Sequence, residues 1–217
     1  WILGLEDKSE NYADRLYEVY KRSSPSAVTY PEKYPFNAPT GSLRNGLTPQ
    51  LKLIARLLDG GGAGQGVKTK VFLVKVGGFD THASQVESYD PTMGTHAALM
   101  YHISSAMKAF QDDLIFLGIE DRVVGMTFSE FGRRIKSNSS VGTDHGAAAP
   151  MFVFGKPVQG GVLGDNPTIQ PVVTVNDNVP MQYDFRSIYS TLLEKWFCLD
   201  KATVQGLFPP NINGQLQ

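Results

Sequence analysis

Apolar residues recur along this chain in two different periods. Between Ser9 and Lys21, Tyr12, Leu16, Val19 and Tyr20 fall at helical spacing, with Ser9 or Asn11 as N-cap, which predicts an amphipathic helix. Thr48-Pro49 reads as a second helix start, a capping hydroxyl followed by proline, with Leu51, Leu53, Ile54, Leu57 and Leu58 as its stripe and a glycine run from Gly60 as its end. Met100, Ile103, Met107, Phe110, Leu114 and Leu117 mark a long third helix between Gly94 and Leu117. A last one starts at Asp184 and carries Phe185, Ile188, Tyr189, Leu192, Leu193 and Trp196.

Three other runs are rich in β-formers. They are Thr69 to Val76, stopped by Gly77-Gly78; Asp121 to Phe128; and Met151 to Phe154, ended by Gly155. With the long helix between the first two, the order reads as a βαβ unit, hence a parallel connection and an α/β fold. Both strand ends then share one edge, so Asp80 and His82 are expected near Glu130 and Arg133, where such sheets bind ligands. The segment from Ser23 to Asn45, with Pro25, Pro31, Pro35 and Pro39, predicts an irregular covering loop. The tail from Pro209 to Gln217 reads as loosely held.

Composition narrows the classes. At 217 residues and 41% hydrophobic content the chain can bury a core, and it reads as a single domain over residues 1–217. Its 20 basic and 21 acidic residues nearly cancel, which argues against nucleic acid as a partner. No apolar run reaches the roughly 20 residues needed for a membrane span. The single Cys198 has no internal disulfide partner and reads as the buried face of the last helix. Because the chain opens abruptly on Trp1-Ile2-Leu3, further sequence is expected upstream.

The chemistry sits in three polar clusters beside the β-rich runs. Gly77-Gly78-Phe79-Asp80-Thr81-His82 places a carboxylate and an imidazole two positions apart, where both face one site if the backbone is extended; an Asp there also caps turns. Glu130 reads as a metal ligand, a general base or a partner for Arg133. Gly142-Thr143-Asp144-His145-Gly146 supplies a second acid and imidazole pair, or a plain surface turn. Carboxylates and imidazoles together suit Zn²⁺, Mn²⁺ or a similar divalent ion, and Arg133 or Arg134 suits an oxyanion. The competing reading is a structural ion-pair network. His96 is expected near the start of the long helix and His102 on its solvated flank, while Asn138-Ser139-Ser140 forms a glycosylation triplet.

In this order, Gly77 to His82, Phe128-Ser129-Glu130-Phe131-Gly132-Arg133 and Gly142 to Gly146 resemble an uncharacterised bacterial sulfatase-like family grouped with the alkaline phosphatase superfamily. The likeness extends to Tyr12 to Tyr20, Gly160-Gly161 and Asp184 to Trp196. The resemblance implies a mixed, mainly parallel sheet flanked by helices, of which this chain is the C-terminal part. It implies a site for divalent metal (Zn, Mn or Ca) held by Asp80, His82, Glu130 and His145, with Glu130 standing where an Asp-His pair is common. Glu130, Arg133 and Asp144 are then the catalytic candidates, and a nucleophile belongs to the missing N-terminal segment. The implied activity is metal-dependent hydrolysis of small anionic phosphate or sulfate esters, with a catalytically inactive exported binding or surface-assembly protein as the alternative. Export to the periplasm or cell surface follows from the same resemblance.

Overall fold

The computed structural model describes residues 2–62 and 66–208, with side chains from residue 9 onward. In chain order it contains helix α1 (Ile2–Arg22), α2 (Thr48–Asp59), α3 (Thr95–Phe116), α4 (Phe185–Lys195) and α5 (Lys201–Leu207). Four two-residue strands lie between α3 and α4: β1 (Gly125–Met126), β2 (Gly132–Arg133), β3 (His145–Gly146) and β4 (Val153–Phe154). The tail from Pro209 to Gln217 lies outside the described residues.

The expected α/β architecture is overturned. The fold is mostly helical, and its only ladders among the described residues are two antiparallel pairs, β1 with β4 and β2 with β3. The expected strand from Thr69 to Val76 has no regular secondary structure and joins no ladder. Its backbone is held instead by the Gln50 side chain, which accepts from Lys75 N at 3.0 Å and donates to Lys75 O at 2.8 Å. Val74 and Val76 pack against the helical core, while Val71 and Leu73 face solvent. One face of the run is therefore satisfied by helices, and among the described residues there is no parallel sheet for the other to join.

The core lies between α2 and α3, where Leu51, Ala55, Ala106, Ala109, Phe110 and Leu114 are buried together with Tyr30 from the preceding loop. Alanines at these positions let the two helix axes approach closely. α3 is rotated by about one residue from the expected stripe: Met100 is exposed, and Ala98, His102, Ala106 and Ala109 are buried. His102, expected to be solvated, is 2% exposed and donates from Nε2 to Ser42 O at 2.7 Å.

The helix starts also differ in detail. Thr48 is the first residue of α2 rather than its cap; its hydroxyl donates to Pro31 O, and the side chain of Asn45 accepts from Leu47 N and Thr48 N. Gly60, at φ 56°, closes α2 in the left-handed conformation. Asp184 caps α4 as expected, accepting from Arg186 N. That helix ends at Lys195, however, so Cys198 is beyond it, exposed and at φ 57°, not buried on its face.

Candidate metal centre

The polar clusters meet because two loops are clamped to a short hairpin. β2 and β3 pair Gly132 with Gly146 and Arg133 with His145. This brings the Asp144-His145 turn beside Phe131 and Arg133. The loop after Gly78 is tied to the same turn: Thr143 N donates to Thr81 O, and Gln85 Oε1 accepts from both Thr81 Oγ1 (3.0 Å) and Thr143 Oγ1 (2.7 Å). A Cβ on Gly142 would stand 2.4 Å from the backbone of His82, so this approach needs glycine.

At the junction, Asp80 Oδ1 lies 3.1 Å from His82 Nε2 and 2.8 Å from His145 Nε2. One ligand atom from each of these three side chains lies within 4.8 Å of the others. All three are about half exposed, which leaves the group open to an incoming molecule. A tetrahedral zinc site with bonds of about 2.0 to 2.1 Å separates its ligand atoms by about 3.3 Å. The two separations from Asp80, 3.1 and 2.8 Å, are a few tenths of an ångström shorter than that edge.

The surrounding shell orients these three. His82 Nδ1 is 3.1 Å from Asp144 Oδ1, and Asn138 Nδ2 donates to that same oxygen at 3.2 Å and to His82 O at 2.8 Å. The Phe131 ring stacks on His145, with centroids 3.7 Å apart and planes at 11°. Arg133 donates from Nη1 to Thr143 O at 2.6 Å and from Nη2 to Phe79 O, and its Nη2 lies 3.4 Å from Asp80 Oδ1. Arg134 reaches His145 O, Val175 O and Asn176 Oδ1. Both guanidinium groups therefore spend donors on backbone carbonyls and act first as braces.

Electrostatics follow from these contacts. The hydrogen bond from His145, aided by the charges of His82 and Arg133, holds Asp80 below the usual carboxylate range. Asn138, then His82, lowers Asp144 likewise. Both carboxylates are thus ionised at neutral pH. Their interactions are fully present above the ordinary carboxylate value and are lost only as pH falls through the lowered ones.

His82 is placed between two carboxylates, Asp144 at Nδ1 and Asp80 at Nε2, and carboxylates only accept. A neutral ring that donates Nδ1–H to Asp144 presents its Nε2 lone pair to an Asp80 oxygen. A positive charge relieves that contact in two ways: a second ring proton, with which His82 donates to both carboxylates, or a cation between the two groups. The second has the carboxylate, histidine, metal order that fixes a ligating imidazole.

Of the residues expected at the site, Asp80, His82, Asp144, His145 and Arg133 come together. Glu130 is exposed and makes no hydrogen bond or ion pair among the described residues. Its neighbour Phe131 is the side chain that meets His145. Sequence reasoning missed Asn138, Gln85 and Phe131. The signal for Asn138 was the turn-forming Asn-Ser-Ser triplet, since Asn138 Oδ1 accepts from Ser140 N and Gly142 N.

A protein family described as "Protein of unknown function (DUF1501)" matches residues 50–208, which include all of these side chains. No curated protein and no solved structure matches the chain.

Proposed function

We propose that this chain, which belongs to the DUF1501 family, holds a divalent cation through Asp80, His82 and His145 and serves hydrolysis of phosphate or sulfate esters. The observation that carries the reading is the convergence of the three ligand atoms within 4.8 Å, with Asp144 behind His82. The motif resemblance to sulfatase-like proteins supplies the reaction class.

When bound, a Zn²⁺, Mn²⁺ or Ca²⁺ ion polarises an ester oxygen and acidifies water. The chain's own residues do the rest. Asp144 keeps the His82 proton on Nδ1, so that Nε2 is free to ligate. Phe131 fixes the plane of the His145 ring. Arg133 holds Asp80 and the Phe79 and Thr143 carbonyls in one frame, so both loops present their ligands together.

The test is titration of the purified protein with Zn²⁺, Mn²⁺ and Ca²⁺, followed by assays on aryl phosphate and aryl sulfate esters. One saturable site, lost in His145→Ala, is expected together with metal-dependent turnover. Uptake that is absent, or equal in the variant, ends the cation reading.

A second reading rests on a specific feature. No Ser, Thr or Cys side chain hydrogen-bonds to the three ligand side chains among the described residues; the Thr81 and Thr143 hydroxyls both donate to Gln85. An exported binding protein that keeps the cation and lacks turnover fits that feature. Saturable metal uptake by full-length protein without hydrolysis of either ester supports it. Recovery of the protein only from the cytoplasmic fraction counts against export.

A further inference from the structure

An apolar groove of about 630 Å³ runs between α1 and α2, and it shares no residue with the candidate metal centre. Among the described helices α1 packs against α2 alone, and none of its side chains from Ser9 to Arg22 is buried. Leu16 and Tyr20 are half-buried, but Tyr17 is 58% exposed, and Leu53 across the groove is 45% exposed. A helix in a folded chain draws most of its stability from packing an apolar face, and part of this one is uncovered.

The groove is held in shape. Arg56 donates from Nε to Ser23 Oγ at 2.8 Å and from Nη2 to Tyr20 O at 3.1 Å, and its guanidinium lies over the Tyr20 ring at 3.5 Å. A slot between two fixed helices takes a third by ridge-into-groove packing, and the small Ala13 on its wall lets a partner axis come close. Charge selects which helix. On α1, Glu10, Asp14, Tyr17 and Lys21 follow one another at intervals of four, three and four, so they form one ridge beside the groove, acidic at its start and basic at its end. Glu10 and Asp14 have no ion pair among the described residues, and Lys21 pairs with Glu18 one turn away. A second α1 laid antiparallel sets Glu10 against Lys21 of the other copy at both ends and opposes the two helix dipoles; a parallel one sets like charge on like.

We propose that this groove is a self-association surface, in which two copies of the chain pair through α1, antiparallel about a two-fold axis, each α1 seated in the α1–α2 groove of the other. Tyr17 and Leu53 form the apolar centre of the contact, and the two Glu10–Lys21 pairs fix its direction. Lys52 and Arg56, the charged residues that line the groove, face the acidic half of the incoming helix. This inference stands apart from the cation reading.

Sedimentation equilibrium of the purified full-length protein with EDTA present tests it, over about 1 to 200 µM, the range of a weak homodimer. A reversible monomer–dimer equilibrium is expected. Leu53→Asp and Tyr17→Asp, both at exposed positions, each weaken it about 100-fold, as the loss of an apolar centre does, and circular dichroism shows both folded. Glu10→Lys weakens it about tenfold, because both symmetric pairs turn repulsive, and the double variant Glu10→Lys/Lys21→Glu restores it. Three results overturn the proposal: a monomer throughout that range, association that both aspartate variants leave intact, or a double variant that associates no better than Glu10→Lys alone.

Discussion

In the helical part of the molecule, Asp113 and His102 are buried, and Asp113 accepts from Tyr30 Oη at 2.8 Å. In the hairpin part, Asp80, Asp144, His82 and His145 are about half exposed and are held by one another. The residue types are the same and the settings are opposite. In the first network the polar groups fix how a loop lies across two helices, and their loss is felt by the fold. In the second the side chains are fixed by neighbours yet reachable from solvent, so their loss is felt by whatever binds. Asp and His in this chain gain chemical availability from the loops that carry them, not from their identity.

The sharpest way to break that contrast is in the core. Leu114 is fully buried, and Leu114→Ala should cost about 3 kcal/mol in urea unfolding. For a chain of this size that lowers the melting temperature by about 6 to 12 °C. Cation uptake at permissive temperature should not change. Next, His145→Ala should weaken Zn²⁺ binding by more than about 100-fold in a competition titration while leaving the melting temperature of the metal-free protein in place.

Tyr30→Phe probes the buried network. It removes the donor to Asp113, leaves both carboxylate oxygens unpartnered, and should cost about 2 kcal/mol. Burial, with Asp113 beside it, pushes the Tyr30 hydroxyl well above its ordinary value. The folded protein keeps that proton where the unfolded chain loses it, above about pH 10. The contribution is therefore complete below about pH 10 and declines as pH rises further. Urea unfolding across that range should show the decline in the native protein and a shallower one in Tyr30→Phe. The smallest effect is Asp144→Asn, about tenfold in Zn²⁺ affinity with no shift in melting temperature.

The helices were legible because their signals are local. Thr48-Pro49 and Asp184 each announce a start within a few residues, and the leucine spacing of α2 needs no distant partner. Strand pairing is not local. The run from Thr69 to Val76 carries β-propensity, but nothing in it says that the Gln50 side chain takes the Lys75 backbone or that Val71 and Leu73 stay in water. The large residues of α3 do not mark its buried side; Ala98, Ala106 and Ala109 mark the close contact, and His102 lies on that side.

The site was more legible than the sheet proposed to carry it. Glycines around Asp80 and Asp144 signalled turns able to face inward, and those turns do meet. The means of meeting was not readable. It is an antiparallel hairpin with a threonine, glutamine, threonine bridge, rather than neighbouring ends of parallel strands. Glu130 and Phe131 differ by one position, and only the hairpin geometry decides which of them reaches His145.

Asn138 shows how narrow the tolerance of this arrangement is. Its amide nitrogen serves His82 O and Asp144 Oδ1, and its oxygen serves two backbone N–H groups. An Asn-Ser step is prone to spontaneous deamidation, which would exchange that donor for a second anion facing Asp144. Slow chemical ageing at one side chain would then loosen the imidazole that depends on it, long before the helices register any change.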